Sequence, residues 1–341
     1  MQDFTITPTR RSFLRGSAAV AGAGILSASP FRKTWAAAFP ERNIQILIPT
    51  GEGGGADRDA RMFSTVWRKY LNTNFEYSYY PGAAGQVGYE FYAAKSEPDC
   101  YNLLFGNLGP EIIMQAMQKP KAKLGKDFIY FCQTTDETMC VFVGKNSKIK
   151  TIEQLVDEAK KRVVTVATSR LPHPASIGVL ALGEATGAKF QLVPFGGGNP
   201  SAMAAITGEV DCCTLPITNA IQLDKEVLIL TVFSKKNVFG EMADNAPPVN
   251  DVFGTKIPEL SSSRGFAIHV KAIETYPDRF KTIEESVKKA ALDPEYADLV
   301  EKAGMPRSFV RYGGREETVA FAEEMLALAE KYGSLLAAKK K

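Results

Sequence analysis

Short apolar runs alternate with amphipathic stretches along most of the chain. Ile44-Gln45-Ile46-Leu47-Ile48 reads as a strand, and Ala60, Phe63, Trp67 and Tyr70, spaced by three and four, give the following segment one apolar helical face. Tyr77, Tyr79 and Tyr80 suit a strand with one buried face, and Leu103-Leu104-Phe105 a buried strand ending at Gly106-Asn107. Phe128–Phe131 and Cys140–Gly144 read as two further strands. A helix capped by Thr151 comes next, then strand Val163–Ala167, helix Ala175–Thr186, strand Phe190–Pro194, helix Ser201–Thr207, and strands Val210–Thr214 and Val227–Phe233. Strands alternating with helices mean βαβ units and a mostly parallel sheet, so the fold class is α/β. The pattern comes in two blocks, which points to two lobes. From Pro277 the tail is helical, with Phe280, Ile283 and Val287 on one face and then Phe321, Met325, Leu326 and Leu328.

The first 38 residues stand outside this pattern. Thr9-Arg10-Arg11-Ser12-Phe13-Leu14-Arg15 precedes a weakly apolar stretch from Gly16 to Ser27, and Ala36-Ala37-Ala38 offers small residues for cleavage. This resembles a twin-arginine export signal and predicts a periplasmic protein. No cysteine follows the apolar stretch, so a lipid anchor is not indicated. Removing the segment changes the charge. It carries Arg10, Arg11, Arg15, Arg32 and Lys33 against Asp3, so the formal +3 of the 341 residues becomes −1. The basic excess belongs to the signal and gives no reason to expect nucleic acid or an acidic membrane as partner. No zinc-like spacing occurs among Cys100, Cys132, Cys140, Cys212 and Cys213. Buried small hydrophobes are the simplest reading of all five. If Gln133–Met139 is a hairpin turn, Cys132 and Cys140 are the plausible disulfide, whereas the neighbours Cys212 and Cys213 point to opposite faces of a strand.

Three strand–loop–helix junctions carry the candidate chemistry: Pro49–Asp57, Thr168–Ser176 and Phe195–Ser201. In a parallel α/β sheet such loops gather at the carboxyl ends of the strands, where ligands bind. Glycines allow close backbone approach, and helix N-termini present unpaired N–H groups that suit an anion. The candidate ligand-binding residues are Thr50, Gly51, Gly54, Gly55, Ala56, Asp57, Asn107, Thr168, Arg170, His173, Ser176, Phe195, Gly196, Gly197 and Asn199. Asp57 and Asn199 are also candidate helix caps, and Pro174 and Pro200 fit first helical turns. Gly51-Glu52-Gly53-Gly54-Gly55 lacks the Lys-Ser/Thr of a P-loop, and Glu52 would repel a pyrophosphate; the alternative is a tight turn alone. No cofactor or metal is called for.

Five segments in order resemble the Bug-type solute receptors of tripartite tricarboxylate transporters: Ile46–Arg61, Pro81–Gly88, Pro98–Gly109, Leu192–Asp211 and Val249–Leu260, with Asp293-Pro294-Glu295 near the C-terminus. The resemblance implies a two-lobed periplasmic binding fold (type II-like), each lobe a mainly parallel sheet flanked by helices. It implies crossovers near residues 140 and 258, so that 39–140 and 259–341 form one lobe and 141–258 the other. It also implies that the loops Thr50–Asp57 and Phe195–Ser201 grip one ligand carboxylate through backbone amides and waters, and that a monomeric receptor delivers it to membrane permease subunits. The pattern departs from the family at Thr50, where an aromatic is usual, at Ala56 and Ala175, and at Arg170, where a small residue is common; Arg264 stands near an expected aromatic. Arg170 either holds a second carboxylate in a bidentate fork, favouring a dicarboxylate, or is a solvated loop residue; an aromatic carboxylate is the other favoured ligand, with Tyr77, Tyr79 and Tyr80 as a minority candidate for its wall. His173 either donates to the same group or caps a helix.

Two rival functions share these features. An exported enzyme needs a nucleophile and a base, but the chain has only His173 and His269 and no Gly-x-Ser-x-Gly elbow. A sensor subunit would use the same fold and ligand.

Overall fold

A strand buried on both faces needs a nearly continuous apolar run. Ile44–Ile48 has one and forms β1, with all but Gln45 buried, in a computed structural model that describes residues 39–337. The export signal read in residues 1–38 lies outside the described residues. The order continues α1 (Gly55–Leu71), β2 (Phe75–Tyr79), α2 (Gln86–Lys95), β3 (Asn102–Asn107), α3 (Leu108–Gln118) and β4 (Phe128–Gly144). Next come α4 (Ile152–Lys161), β5 (Val164–Thr168), α5 (Pro174–Thr186), β6 (Phe190–Pro194), α6 (Gly198–Thr207), β7 (Cys212–Pro216), α7 (Ile217–Ile221) and β8 (Val227–Val232). The chain returns through α8 (Val249–Phe253), β9 (Ser261–His269), α9 (Val270–Thr275), α10 (Pro277–Ala291), α11 (Pro294–Lys302), β10 (Val310–Gly313) and α12 (Arg315–Ala337).

The strands lie in the order β2-β1-β3-β9-β4-β7-β5-β6, with β8 and β10 also paired to β4. Two outer blocks are parallel, as the βαβ pattern predicts: β1 with β2 and β3, and β5 with β6 and β7. The centre is antiparallel, because β9 runs against β3 and β4, and β4 against β7 and β8. The sheet is therefore mixed.

β4 corrects the sequence reading. The segments expected as two strands around a hairpin are one strand, Phe128–Gly144. Its Phe128–Thr138 part pairs with β9, and Met139–Gly144 with β7 and β8. The polar run Gln133-Thr134-Thr135 and Glu137, which imitates a turn, is buried in mid-strand. Cys132 and Cys140 are free. Their eight-residue separation along an extended strand spans roughly 25 Å, far beyond the roughly 7 Å limit between Cα atoms of a disulfide. All five cysteines are buried, with Cys212 and Cys213 in different core clusters on opposite faces of β7.

Helices cover both faces of the sheet. On one, Phe63 and Trp67 of α1 pack against Phe266 at ring-centroid distances of 5.4 and 4.9 Å, and Trp67 Nε1 donates to Ser286 Oγ of α10 at 2.8 Å. On the other, α12 lies against α3, α5 and β4 through Met325, Leu328, Ala329, Tyr332 and Leu336, positions on one helical face. Leu326, expected on that face, is 39% exposed. Unfolding the protein without reductant in the presence of an alkylating reagent should label all five thiols. A mass deficit for Cys132 and Cys140 would contradict the strand described here.

Candidate functional site

The carboxyl ends of β1, β3, β5, β6 and β7 and the middle of β9 surround a cleft of about 770 Å³. Of the residues proposed from sequence, Thr50, Gly51, Gly54, Gly55, Ala56, Asn107, Arg170, His173, Phe195, Gly196, Gly197 and Asn199 line it. Asp57, Thr168 and Ser176 do not; they stand behind the lining and hold its loops. Asp57 accepts hydrogen bonds from Gly53 N–H at 2.8 Å, Arg61 Nε at 2.7 Å and Tyr79 OH at 2.7 Å. Burial alone would raise its pKa, but these bonds and the Arg61 charge outweigh burial and hold it below the usual carboxylate value. The Thr168 and Ser176 hydroxyls share a hydrogen bond of 2.9 Å, and each also reaches Arg170 O, which fixes the turn carrying Arg170.

The local conformations follow from the glycines. Gly54, not Asp57, is the N-cap of α1, and Asp57 reaches back to the loop from the first turn. Gly197, not Asn199, caps α6; its φ of +144° is a region that side chains avoid. The α6 start packs close to Asn219, which also lines the cleft. At α5 the cap is His173, whose Nδ1 accepts from Ala175 N–H at 3.1 Å. Nδ1 can accept only when unprotonated, and burial, then the charges of Arg170 and Arg264, push the His173 pKa down to about 3. The cleft is therefore bordered by the glycine-capped starts of α1 and α6, beside Thr50 Oγ1, which is buried without a hydrogen-bond partner among the described residues, whereas at α5 His173 takes the Ala175 N–H.

Beneath these loops lies a charge network that sequence reasoning did not assemble. Arg264 of β9, 8% exposed, places Nη1 2.7 Å from Asp59 Oδ2, Nη2 3.0 Å from Glu137 Oε1 and Nε 3.0 Å from Asn107 Oδ1. Glu137 also accepts from the Thr218 hydroxyl and, at 3.3 Å, from Thr218 N–H. Burial pushes Asp59 and Glu137 up, and the Arg264 charge opposes it at both. Asn107 connects this network to a second one, since its N–H and Nδ2 donate to Glu111 at 2.9 and 3.1 Å. Glu111 is bonded to Tyr89 and Tyr130, and lies 3.6 Å from Arg170 Nη1. Arg170 lines the cleft with its side chain 18% exposed and donates to Ala84 O at 3.1 Å, so it is neither solvated nor without partners. The available sequence signal was the polar run Gln133–Thr138 between apolar segments: polar residues inside a buried strand need partners. Among the described residues no group of His, Cys, Asp and Glu side chains could hold a metal ion.

No family model matches the chain. A UPF0065 protein of Agrobacterium vitis is 28% identical over 260 residues, covering 75% of this chain and 73% of that one. Protein BugT of Bordetella pertussis is 24% identical over 196 residues, 56% of this chain and 60% of that one. Among solved structures, a TctC solute binding protein from Polaromonas superposes with a TM-score of 0.65 at 20% identity, covering 88% of this chain and 99% of that one. An R. palustris protein solved with adipate gives 0.75 at 17% identity, covering 88% and 98%. The fold is that of the periplasmic binding proteins. Its relatives in sequence and fold include proteins named BugT, BugD and TctC. No helix among the described residues is long and apolar enough to cross a membrane.

Two variants test this arrangement by urea unfolding. Arg264→Met leaves two buried carboxylates without their cation and should destabilise the fold by about 3–5 kcal/mol. His173 is depressed in the fold, so its contribution is complete above its unfolded value near 6.5 and is lost as pH falls from there to about 3. His173→Asn keeps a capping side chain and should flatten the acid-side loss of stability over that range; an unchanged slope would assign the loss to other groups.

Proposed function

We propose that this chain is an exported receptor that closes two lobes around a small organic carboxylate and passes it to the permease subunits of a tripartite tricarboxylate transporter. The observation that carries the reading is the convergence of two glycine-capped helix starts, those of α1 and α6, on one cleft. Their N–H groups offer hydrogen bonds and partial positive charge without a side-chain cation, which suits a single carboxylate. Two relatives in fold were solved with carboxylic acids, one with adipate and one with malate.

The lobes would be 39–140 with 259–341, and 141–258. The strand pairing supports this division, because β4 exchanges β9 for β7 and β8 at Met139–Cys140, and β9 begins at Ser261. Closure would then be a hinge at the strands shared by both blocks. The paired arginines Arg10 and Arg11 support export by the twin-arginine route.

One helix terminus supplies about 0.3–2 kcal/mol, whereas a micromolar site needs about 8 kcal/mol, so several termini and lobe closure must act together. Calorimetric titration with a panel of aliphatic and aromatic carboxylates should find at least one micromolar ligand. Gly197→Ala, which strains the φ of +144°, should weaken it about tenfold or more while the protein stays folded. Heat from no carboxylate in the panel would overturn the reading.

A further inference from the structure

A carboxylate in the cleft can meet the buried guanidinium of Arg264 and the half-buried one of Arg170, and what matters is how much positive charge either still offers. Arg264 faces Asp59 and Glu137, so its surroundings already carry more negative than positive charge. Arg170 faces Glu111, which is 1% exposed and does not itself line the cleft. The two Glu111 oxygens receive Asn107 N–H at 2.9 Å, Asn107 Nδ2 at 3.1 Å, the Tyr130 hydroxyl at 3.2 Å and the Tyr89 hydroxyl. Burial pushes the Glu111 pKa up, and the Arg170 charge and these donors oppose it, since donors fit an ionised carboxylate, which only accepts. Glu52 and Arg58, both exposed where they line the cleft, are of opposite sign and are screened by solvent.

We infer that Glu111 is a specificity-determining residue: by holding the charge of Arg170 from behind the cleft wall, it makes the site select a carboxylate whose remainder is uncharged over the dicarboxylate of equal length. This rests on the carboxylate reading above. The ligand's one carboxylate is met by neutral N–H groups at the helix starts. A second would have to approach a guanidinium already offset by Glu111 and bonded to Ala84 O. Apolar residues Ala84, Leu171, Pro172, Pro110 and Met117 line the same cleft. Placing an unmatched negative charge among them costs desolvation without the compensation of a free cation. An arginine in the wall thus does the opposite of what its charge alone suggests, because the chain supplies the counter-ion.

The test is calorimetric titration of the mature protein with hexanoate and adipate, and with pentanoate and glutarate. The wild type should bind each monocarboxylate about tenfold or more tightly than its dicarboxylate partner, the scale of one charge-assisted contact. Glu111→Gln keeps the shape, releases Arg170, and should raise dicarboxylate affinity enough to erase or reverse that ratio. Arg170→Gln leaves Glu111 uncompensated and should widen it. If Glu111→Gln does not fold, the wild-type ratio and Arg170→Gln decide. A wild type that prefers the dicarboxylates, or a ratio that Glu111→Gln leaves unchanged, overturns the inference while the carboxylate receptor stands. Heat from neither class in any variant or in the wider panel removes both.

Discussion

The cleft depends on one buried guanidinium. Arg264 projects from the strand that lies between the two strand blocks and binds Asp59 of α1, Glu137 of β4 and Asn107 of β3. Asp59 and Asn107 come from elements that also border the site, so the same contacts that neutralise the charge set the relative positions of the glycine loop and the β3 terminus. Its NH2 group lies beneath Gly55, where a Cβ would sit 3.1 Å from it. A glycine there lets the start of α1 settle onto the network. A buried ion pair of this kind gives little net stability over an apolar equivalent, but it fixes a geometry that apolar packing would leave freer.

The cleft treats charge in two different ways. Its anion-seeking surface is made from backbone groups, which cannot titrate and need no counter-ion. Arg170 and Arg264 are held by acids beneath or behind the wall. The consequence is a site with hydrogen-bonding capacity and little free charge. The neutral histidine at the α5 cap belongs to the same design, since a protonated ring there would lose its capping bond and meet two arginines. Two proteins of the same fold were solved with dicarboxylic acids, adipate and malate.

Much of this was legible along the chain. The apolar run Ile44–Ile48, the three-four spacing of Ala60, Phe63 and Trp67, and the glycine loops after β1 and β6 each depend on neighbours within a few residues, and they form where expected. The order of short motifs was enough to suggest the receptor family. Local signals failed where a residue's role is set by something distant in sequence. Gln133–Thr138 has the composition of a turn, yet it lies in a strand because Arg264 and Thr218, more than seventy residues away, satisfy its polar groups. The same misreading produced the expected Cys132–Cys140 pair.

The sequence by itself determined the alternation of strands and helices and the glycine loops that border the cleft. These follow from periodicity and backbone permissiveness, which are short-range properties. Only the tertiary structure decided that the central strands run antiparallel, that Asp57, Thr168 and Ser176 support loops instead of lining the cleft, and that Arg170 and Arg264 enter it with their charges already matched. Charge compensation acts through space at a few ångströms, and no spacing along the chain records which acid will stand behind which arginine.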